Sequence, residues 1–210
     1  MAKEYDSIIR NTGWDVFWRP HGKSVVSSRW LYKVKQVADG SVEKHKARFV
    51  TRGFSQVEGI NYDETFSHVA RYSSIRLMLA LSAQVGWKIH QMDVKKIFLN
   101  GKIEEEVYIE QLEGFETLDH ESHVCRLKRA LYGLKQEPHA WYTKIYIYLT
   151  SLGFTKSEAD ANLYHILVEG KLLIVALYVD DLILTGDEQL IKSYKEELAR
   201  EFEMKEKGLM

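Results

Sequence analysis

Residues 171–184 read KLLIVALYVDDLIL. The first eight, Lys171 to Tyr178, are apolar on both faces of an extended chain, the pattern of a strand at the centre of a sheet. Residues 182–184 resume as a strand after a very tight turn. Two adjacent carboxylates, Asp180 and Asp181, fall between these apolar runs. Unpaired charge in a low dielectric is costly, and like charges raise each other's pKa. A hard divalent cation such as Mg²⁺, with Mn²⁺ as the alternative, removes both problems. The competing reading is a surface hairpin turn with solvated acids.

Outward from this stretch, Leu163–Val168 forms a hairpin with the first apolar run around Glu169-Gly170. Asp187 caps a following helix that buries Leu190, Ile191, Tyr194, Leu198 and Phe202. Upstream, residues 87–94 read as a short strand ending at Asp93. Pro138 suits the first turn of a helix with Trp141, Ile145, Leu149 and Leu152 on one face, stopped by Gly153. From residue 87 onward the order is β, α, β, β, α. One more strand would complete a ferredoxin-like split βαβ sheet, and the chain is expected to lack it. In such a sheet the first strand lies beside the hairpin, so Asp93 would face Asp180. Three carboxylates at adjacent strand ends can hold two metal ions ~3.5–4 Å apart, the arrangement for in-line phosphoryl transfer. The plain alternative for Asp93 is a strand-terminal cap.

Towards the N-terminus, residues 29–36 read as a strand with Trp30, Tyr32 and Val34 on one face and Leu31, Lys33 and Lys35 on the other. Asp39-Gly40 is a hairpin turn signal, and residues 44–52 return. Ser73 or Ser74 is the expected cap of a helix running to about Gly86. Residues 19–56 hold nine Lys and Arg against two acids, a net of +7, which leaves −8 for the rest of a chain whose total is −1. A basic segment on a near-neutral protein can follow a phosphate backbone. The bland reading is a solvated lysine-rich hairpin.

The remaining composition mainly excludes. The 210 residues suffice for one large domain or two interleaved small ones. A single Cys125 rules out an internal disulfide framework and suits a reducing compartment, cytoplasmic or nuclear. Residues 1–10 do not resemble a signal peptide, and no apolar run is long enough to span a membrane. No Ser-His-Asp arrangement, P-loop or dinucleotide fingerprint is visible. A carboxylate-bearing metal hydrolase lacks His at ligand spacing near the aspartates. His120, His123 and Cys125 lie close together in a polar loop and read as incidental.

Six blocks carry a resemblance. They are KHKARFVTRGFSQVEGINYDETFSHVARYSSIR (44–76), WKIHQMDVKKIFLNG (87–101), EEVYIEQLEGFE (105–116), VCRLKRALYGLKQEPHAWY (124–142), GFTKSEADANLY (153–164) and LYVDDLILTG (177–186). In this order, over nearly the whole length, the chain resembles a copia-type retrotransposon reverse transcriptase. The resemblance implies an α+β fold with fingers at 1–88 and 101–136 and palm at 89–100 and 137–210, truncated before the last palm strand, the thumb and RNase H. It implies two-metal nucleotidyl transfer to a primer 3′-hydroxyl, with an RNA template, a DNA primer and deoxynucleoside triphosphates as partners. Asp93, Asp180 and Asp181 match the catalytic aspartates, and the Val94 backbone carbonyl would add a metal ligand. Phe98 matches the aromatic that excludes a ribose 2′-hydroxyl. Lys35 or Lys46, with Arg48, belong to the basic ribbon that binds the incoming triphosphate, where a guanidinium fork suits phosphate oxygens. Tyr132 and Gly133 would lie against the nascent base pair, and Tyr178 and Val179 against template or primer. Without the resemblance, Lys46 and Arg48 read as solvated strand charges, and Phe98 and Tyr132 as core packing.

The chain departs from the family pattern at several places. Ile97 stands where a small residue is usual, beside the incoming triphosphate, and Lys96 replaces a usual Thr. His68 and Leu112 replace prolines. Glu137 and His139 replace Ala and Arg, and Glu137 is expected to put negative charge where template or nucleotide passes. These departures support an alternative: an inactive remnant that at most binds nucleic acid. A missing final strand would also leave an open sheet edge and a chain prone to aggregate.

Overall fold

The computed structural model describes residues 1–63, 65, 70–119 and 121–209. In chain order they form α1 (Ala2–Arg10), β1 (Trp14–Trp18), β2 (Val25–Val26), β3 (Ser28–Gln36), β4 (Val42–Thr51), α2 (Tyr72–Val85), β5 (Ile89–Val94), α3 (Ile97–Asn100), β6 (Tyr108–Ile109), β7 (His123–Leu127), α4 (Glu137–Ser151), β8 (Thr155–Lys156), β9 (Leu163–Val168), β10 (Lys171–Tyr178), β11 (Asp181–Gly186), α5 (Glu188–Glu201) and β12 (Met204–Leu209). This α+β chain makes two compact units, Met1–Phe66 with Phe98–Trp141 and Ser67–Ile97 with Tyr142–Met210. These ranges cross the fingers range 1–88, because α2 belongs with the second unit. Its Met78 packs with Ala176 of β10 and Ile183 of β11.

The second unit holds a six-stranded antiparallel sheet in the order β12-β5-β11-β10-β9-β8. Alternation along β10 explains why it sits inside. Leu173, Val175 and Leu177 turn to one face with Leu182 and Leu184 of β11, and all five are buried. Burying each such side chain contributes ~1.5–3 kcal/mol relative to exposure. Ala176, Ile183 and Thr185 turn to the face covered by α2, where Ser82 and Thr185 share a 2.8 Å hydrogen bond. Asp187 caps α5 as expected, accepting from the N–H groups of Gln189 and Leu190. The expected cap of α2 needs correction. Neither Ser73 nor Ser74 holds that place: Arg71 does, without a side-chain cap of its own. Asp160 accepts the Arg71 N–H instead, at 2.9 Å. Burial pulls Asp160 upward, but the Ser74 hydroxyl and the N–H groups of Asn162 and Arg71 hold its pKa below the usual carboxylate range. The helix ends at Gly86 as expected, where the chain takes the left-handed conformation at φ +78°.

The strand expected to be missing is present. β12 pairs antiparallel with β5, from Met204↔Val94 to Leu209↔His90. With it, the second unit acquires the sixth element of a split βαβ sheet. Its sequence, MKEKGL, hides it: the strand lies at a sheet edge, mostly exposed, and carries charge rather than an apolar run. Lys and Glu on an edge strand discourage pairing with another chain, so the expectation of aggregation from an unpaired β5 loses its basis.

In the first unit, β1-β7-β6-β2 form a four-stranded sheet and β3 and β4 a separate two-stranded ribbon. Ile8, Phe49, Ile109, Leu112, Cys125 and Leu131 belong to one buried cluster. Leu112, which replaces a usual Pro, is thus a core residue. The Cys125 thiol is pushed up to about 12 by burial. His123 packs at a tilt against Trp18, with ring centroids 4.1 Å apart, and shares a hydrogen bond with Ser122, while His120 and His68 lie outside the described residues. Among the described residues, no helix is long and apolar enough to cross a membrane.

Candidate functional site

The hairpin between β10 and β11 is as short as a hairpin allows. Tyr178 pairs with Asp181, leaving Val179 and Asp180 as the two-residue loop. Val179 takes φ +55°, a left-handed conformation that a β-branched side chain resists. Such a residue costs on the order of 1–3 kcal/mol and persists only where its surroundings impose it. One surrounding bond is identifiable: the Val94 N–H donates to the Asp180 carbonyl at 2.8 Å.

The β5–β11 register sets Asp181 directly opposite Asp93. Carboxylate oxygens of Asp93, Asp180 and Asp181 come within 4.8 Å of one another. Asp180 is exposed, while the Asp93 and Asp181 side chains keep 24% and 20% of their surface. At ~4 Å, each pair of like charges repels by ~1 kcal/mol in water and ~4 kcal/mol at an effective dielectric of ~20. Positive charge is therefore needed here. Lys207 of β12 provides it, with Nζ 2.8 Å from Asp181 and 3.1 Å from Asp93. The hydrogen bond to Asp181 raises the Lys207 pKa, burial opposes it, and Asp93 adds to the rise. Three converging carboxylates, two of which already hold an ammonium, are a donor set that fits a hard divalent ion.

The other expected residues of this unit lie around the same hairpin. Val94 is buried. The Tyr178 hydroxyl is hydrogen-bonded to Tyr72, which raises its pKa, and the Val179 side chain is exposed. Lys95 and Lys96 both pair with Glu203. Ile97 is only 3% exposed, so its added carbons are held in the interior rather than offered to a ligand.

In the first unit, the β3–β4 ribbon has one cationic face. Cross-strand partners share a face, and the register pairs Leu31 with Arg48, Lys33 with Lys46 and Lys35 with Lys44. Burial, then the charges of Arg48 and Lys35, hold the Lys46 pKa below its ordinary range. Like charges directly opposite destabilise a strand pair, so the face is suited to a polyanion. At its base the Arg48 guanidinium lies 5.4 Å above the Tyr132 ring, and Phe98 meets that ring edge-on at 4.8 Å. Arg48 Nε is buried with no hydrogen-bond partner among the described residues. Arg48, Tyr132 and Phe98 are thus brought together, and Lys35 and Lys46 line the same ribbon face as Arg48.

Tyr132 and Gly133 are clamped to the end of β4. The Thr51 N–H and hydroxyl both donate to the Tyr132 carbonyl, at 2.8 and 3.0 Å. Glu137 completes the clamp. Instead of facing outward, its buried carboxylate accepts the Gly133 N–H. Burial pushes Glu137 up to about 8, while the N–H groups of Gly133 and Leu134 pull it down. The expected free negative charge at 137 is therefore corrected: the side chain is a turn support. Sequence reasoning missed this role, together with those of Lys207 and Asp160. The only advance signal for any of them is the departure from Ala at 137.

A family model for "Reverse transcriptase (RNA-dependent DNA polymerase)" matches residues 11–210. The chain is 39% identical over 210 residues to a retrovirus-related Pol polyprotein from transposon TNT 1-94 of Nicotiana tabacum, covering 99% of this chain and 16% of that protein. It is 40% and 39% identical over 209 residues to the corresponding polyproteins from transposons RE2 and RE1 of Arabidopsis thaliana, covering 98% of this chain and 14% of each of them. The chain thus spans about one-seventh of the length of these relatives.

Proposed function

The chain belongs to the reverse transcriptase (RNA-dependent DNA polymerase) family found in retrotransposon Pol polyproteins, and from that premise we propose that it carries the nucleotidyl-transfer centre of an RNA-directed DNA polymerase. The observation that supports this most is the convergence of Asp93, from β5, with Asp180 and Asp181, from the neighbouring β10–β11 hairpin. Asp93, Asp180 and Asp181, with the Val94 carbonyl, hold Mg²⁺ in this reading. Bound there, the ion supplies Lewis-acid activation of a primer 3′-hydroxyl and charge neutralisation for a triphosphate.

The chain's own residues do the rest. Asp93 and Asp181 are fixed by strand pairing, and Asp180 by the Val179 turn and its bond to Val94, so the charges are oriented before substrate arrives. Arg48, with Lys46 and Lys35, binds the triphosphate of a deoxynucleotide. Phe98, braced on Tyr132, excludes a ribose 2′-hydroxyl. Tyr132 and Gly133 support the nascent base pair, and Tyr178 and Val179 contact template or primer. The reading as an inactive remnant draws on Ile97 and Glu137, and it weakens because both side chains are taken into the interior.

Purified chain, an RNA template, a DNA primer, deoxynucleoside triphosphates and Mg²⁺ provide the test. Extension by the wild type that is lost in Asp180→Asn supports the proposal. Salt-sensitive binding of primer–template with no extension supports the inactive remnant.

A further inference from the structure

We infer that Lys207 is a built-in counter-ion of the carboxylate cluster, one that a divalent cation must displace in order to bind; this rests on reading Asp93, Asp180 and Asp181 as a cation site.

The strand pairing puts Lys207 there by an irregularity. β12 runs in register with β5 through Met204↔Val94, Lys205↔Asp93 and Glu206↔Met92, and then the register shifts between Glu206 and Gly208. The residue left out of the pairing is Lys207. An extra residue in one strand bends it and re-aims a side chain. Gly208, at φ +97°, accommodates the bend where a side chain would resist it. Glu206, just before the shift, turns to the opposite face and pairs with Lys195 of α5. Lys207 turns to the face of Asp93 and Asp181 and bridges one oxygen of each.

A divalent ion that bridges Asp93 and Asp181 through these two oxygens competes with the ammonium for the same place. Mg²⁺ sits ~2.0–2.1 Å from its oxygen ligands, and the ammonium nitrogen is already at 2.8 and 3.1 Å from the same atoms. Both cations cannot occupy that space. Any interaction that stabilises the metal-free state lowers the apparent affinity for the metal by the same factor. The Lys207 side chain is 37% exposed on a flexible four-carbon stem, so it can swing away once displaced.

The experiment is a titration of purified chain with Mn²⁺ alone, following the signal of the free ion by electron paramagnetic resonance. Lys207→Met is expected to bind Mn²⁺ at least ~10-fold more tightly than the wild type, and Lys207→Arg to stay near the wild type. In chelator, Lys207→Met should melt at a lower temperature than the wild type, and Mn²⁺ should raise its melting temperature by more. Equal Mn²⁺ affinity in wild type and Lys207→Met, with binding lost in Asp181→Asn, overturns the counter-ion role and leaves the cation site standing. Binding that is insensitive to Asp93→Asn and Asp181→Asn in every background overturns the cation site and the inference with it. Should Lys207→Met not fold without metal, Lys207→Gln takes its place in the same comparison.

Discussion

Gly133 lies so close to Thr51 that a Cβ on it would stand 2.3 Å from the Thr51 carbonyl oxygen. The same Cβ would be 2.9 Å from Val50 Cγ1, and Gly133 takes φ +92°, a conformation that other residues resist. Gly133→Ala must therefore push the Tyr132–Gly133 segment away from β4. The expected cost is about 3 kcal/mol or more, read as a lowered midpoint in urea denaturation. A variant with an unchanged midpoint would refute the close approach.

Glu137 predicts a slope of stability with pH. Burial pushes its pKa from the ordinary 4.5 up to about 8, so between those values the folded chain keeps a proton that the unfolded chain has lost. Its contribution to stability therefore falls as pH rises through that window and levels off above it, by a total on the order of a few kcal/mol. Glu137→Gln should gain on the wild type steadily from pH 5 to pH 8 in thermal melts followed by circular dichroism. Two parallel melting-temperature curves would contradict the burial of this acid.

Val179 is strained at φ +55°. Val179→Gly should relieve the turn and, after the added freedom of the unfolded chain is subtracted, stabilise the protein by about 1 kcal/mol. Chemical denaturation measures it, and a loss of stability would show that the Val179 side chain makes contacts worth more than the strain.

The cationic ribbon predicts a trade-off. Lys33 faces Lys46 directly, and replacing it by Glu turns a repulsive cross-strand pair into an attractive one. Lys33→Glu should raise the melting temperature by about 2–4 °C. It should also weaken primer–template binding and reduce the slope of log affinity against log salt by about 1. Fluorescence anisotropy across a salt series reads the second effect, and unchanged binding would remove this face from the nucleic-acid interface.

Much of this was legible in the residues because the second unit's sheet is centred on hydrocarbon. Leu163–Val168 and Lys171–Tyr178 alternate or run apolar around Glu169-Gly170, and both strands form with those bounds. Asp187 and Gly86 mark helix ends by local chemistry, and both do so in the structure. What escaped depends on partners distant in sequence or on exposure. β12 is an exposed edge strand whose partner lies more than a hundred residues upstream, so no apolar pattern announces it. Asp160 supports a helix end 89 residues before it. Glu137 read as an outward charge because burial of a single carboxylate leaves no trace in the residues around it.

The most direct measurement is incorporation of a single deoxynucleotide onto a DNA primer paired with RNA, by Asp93→Asn in Mg²⁺, beside the binding of the same primer–template. Asp93 lies on β5 and is brought to the Asp180–Asp181 turn by the pairing of β5 with β11, so this variant tests whether acids from two strands act as one centre. Incorporation should fall at least ~100-fold while binding changes no more than about twofold. Wild-type incorporation by Asp93→Asn would contradict the account.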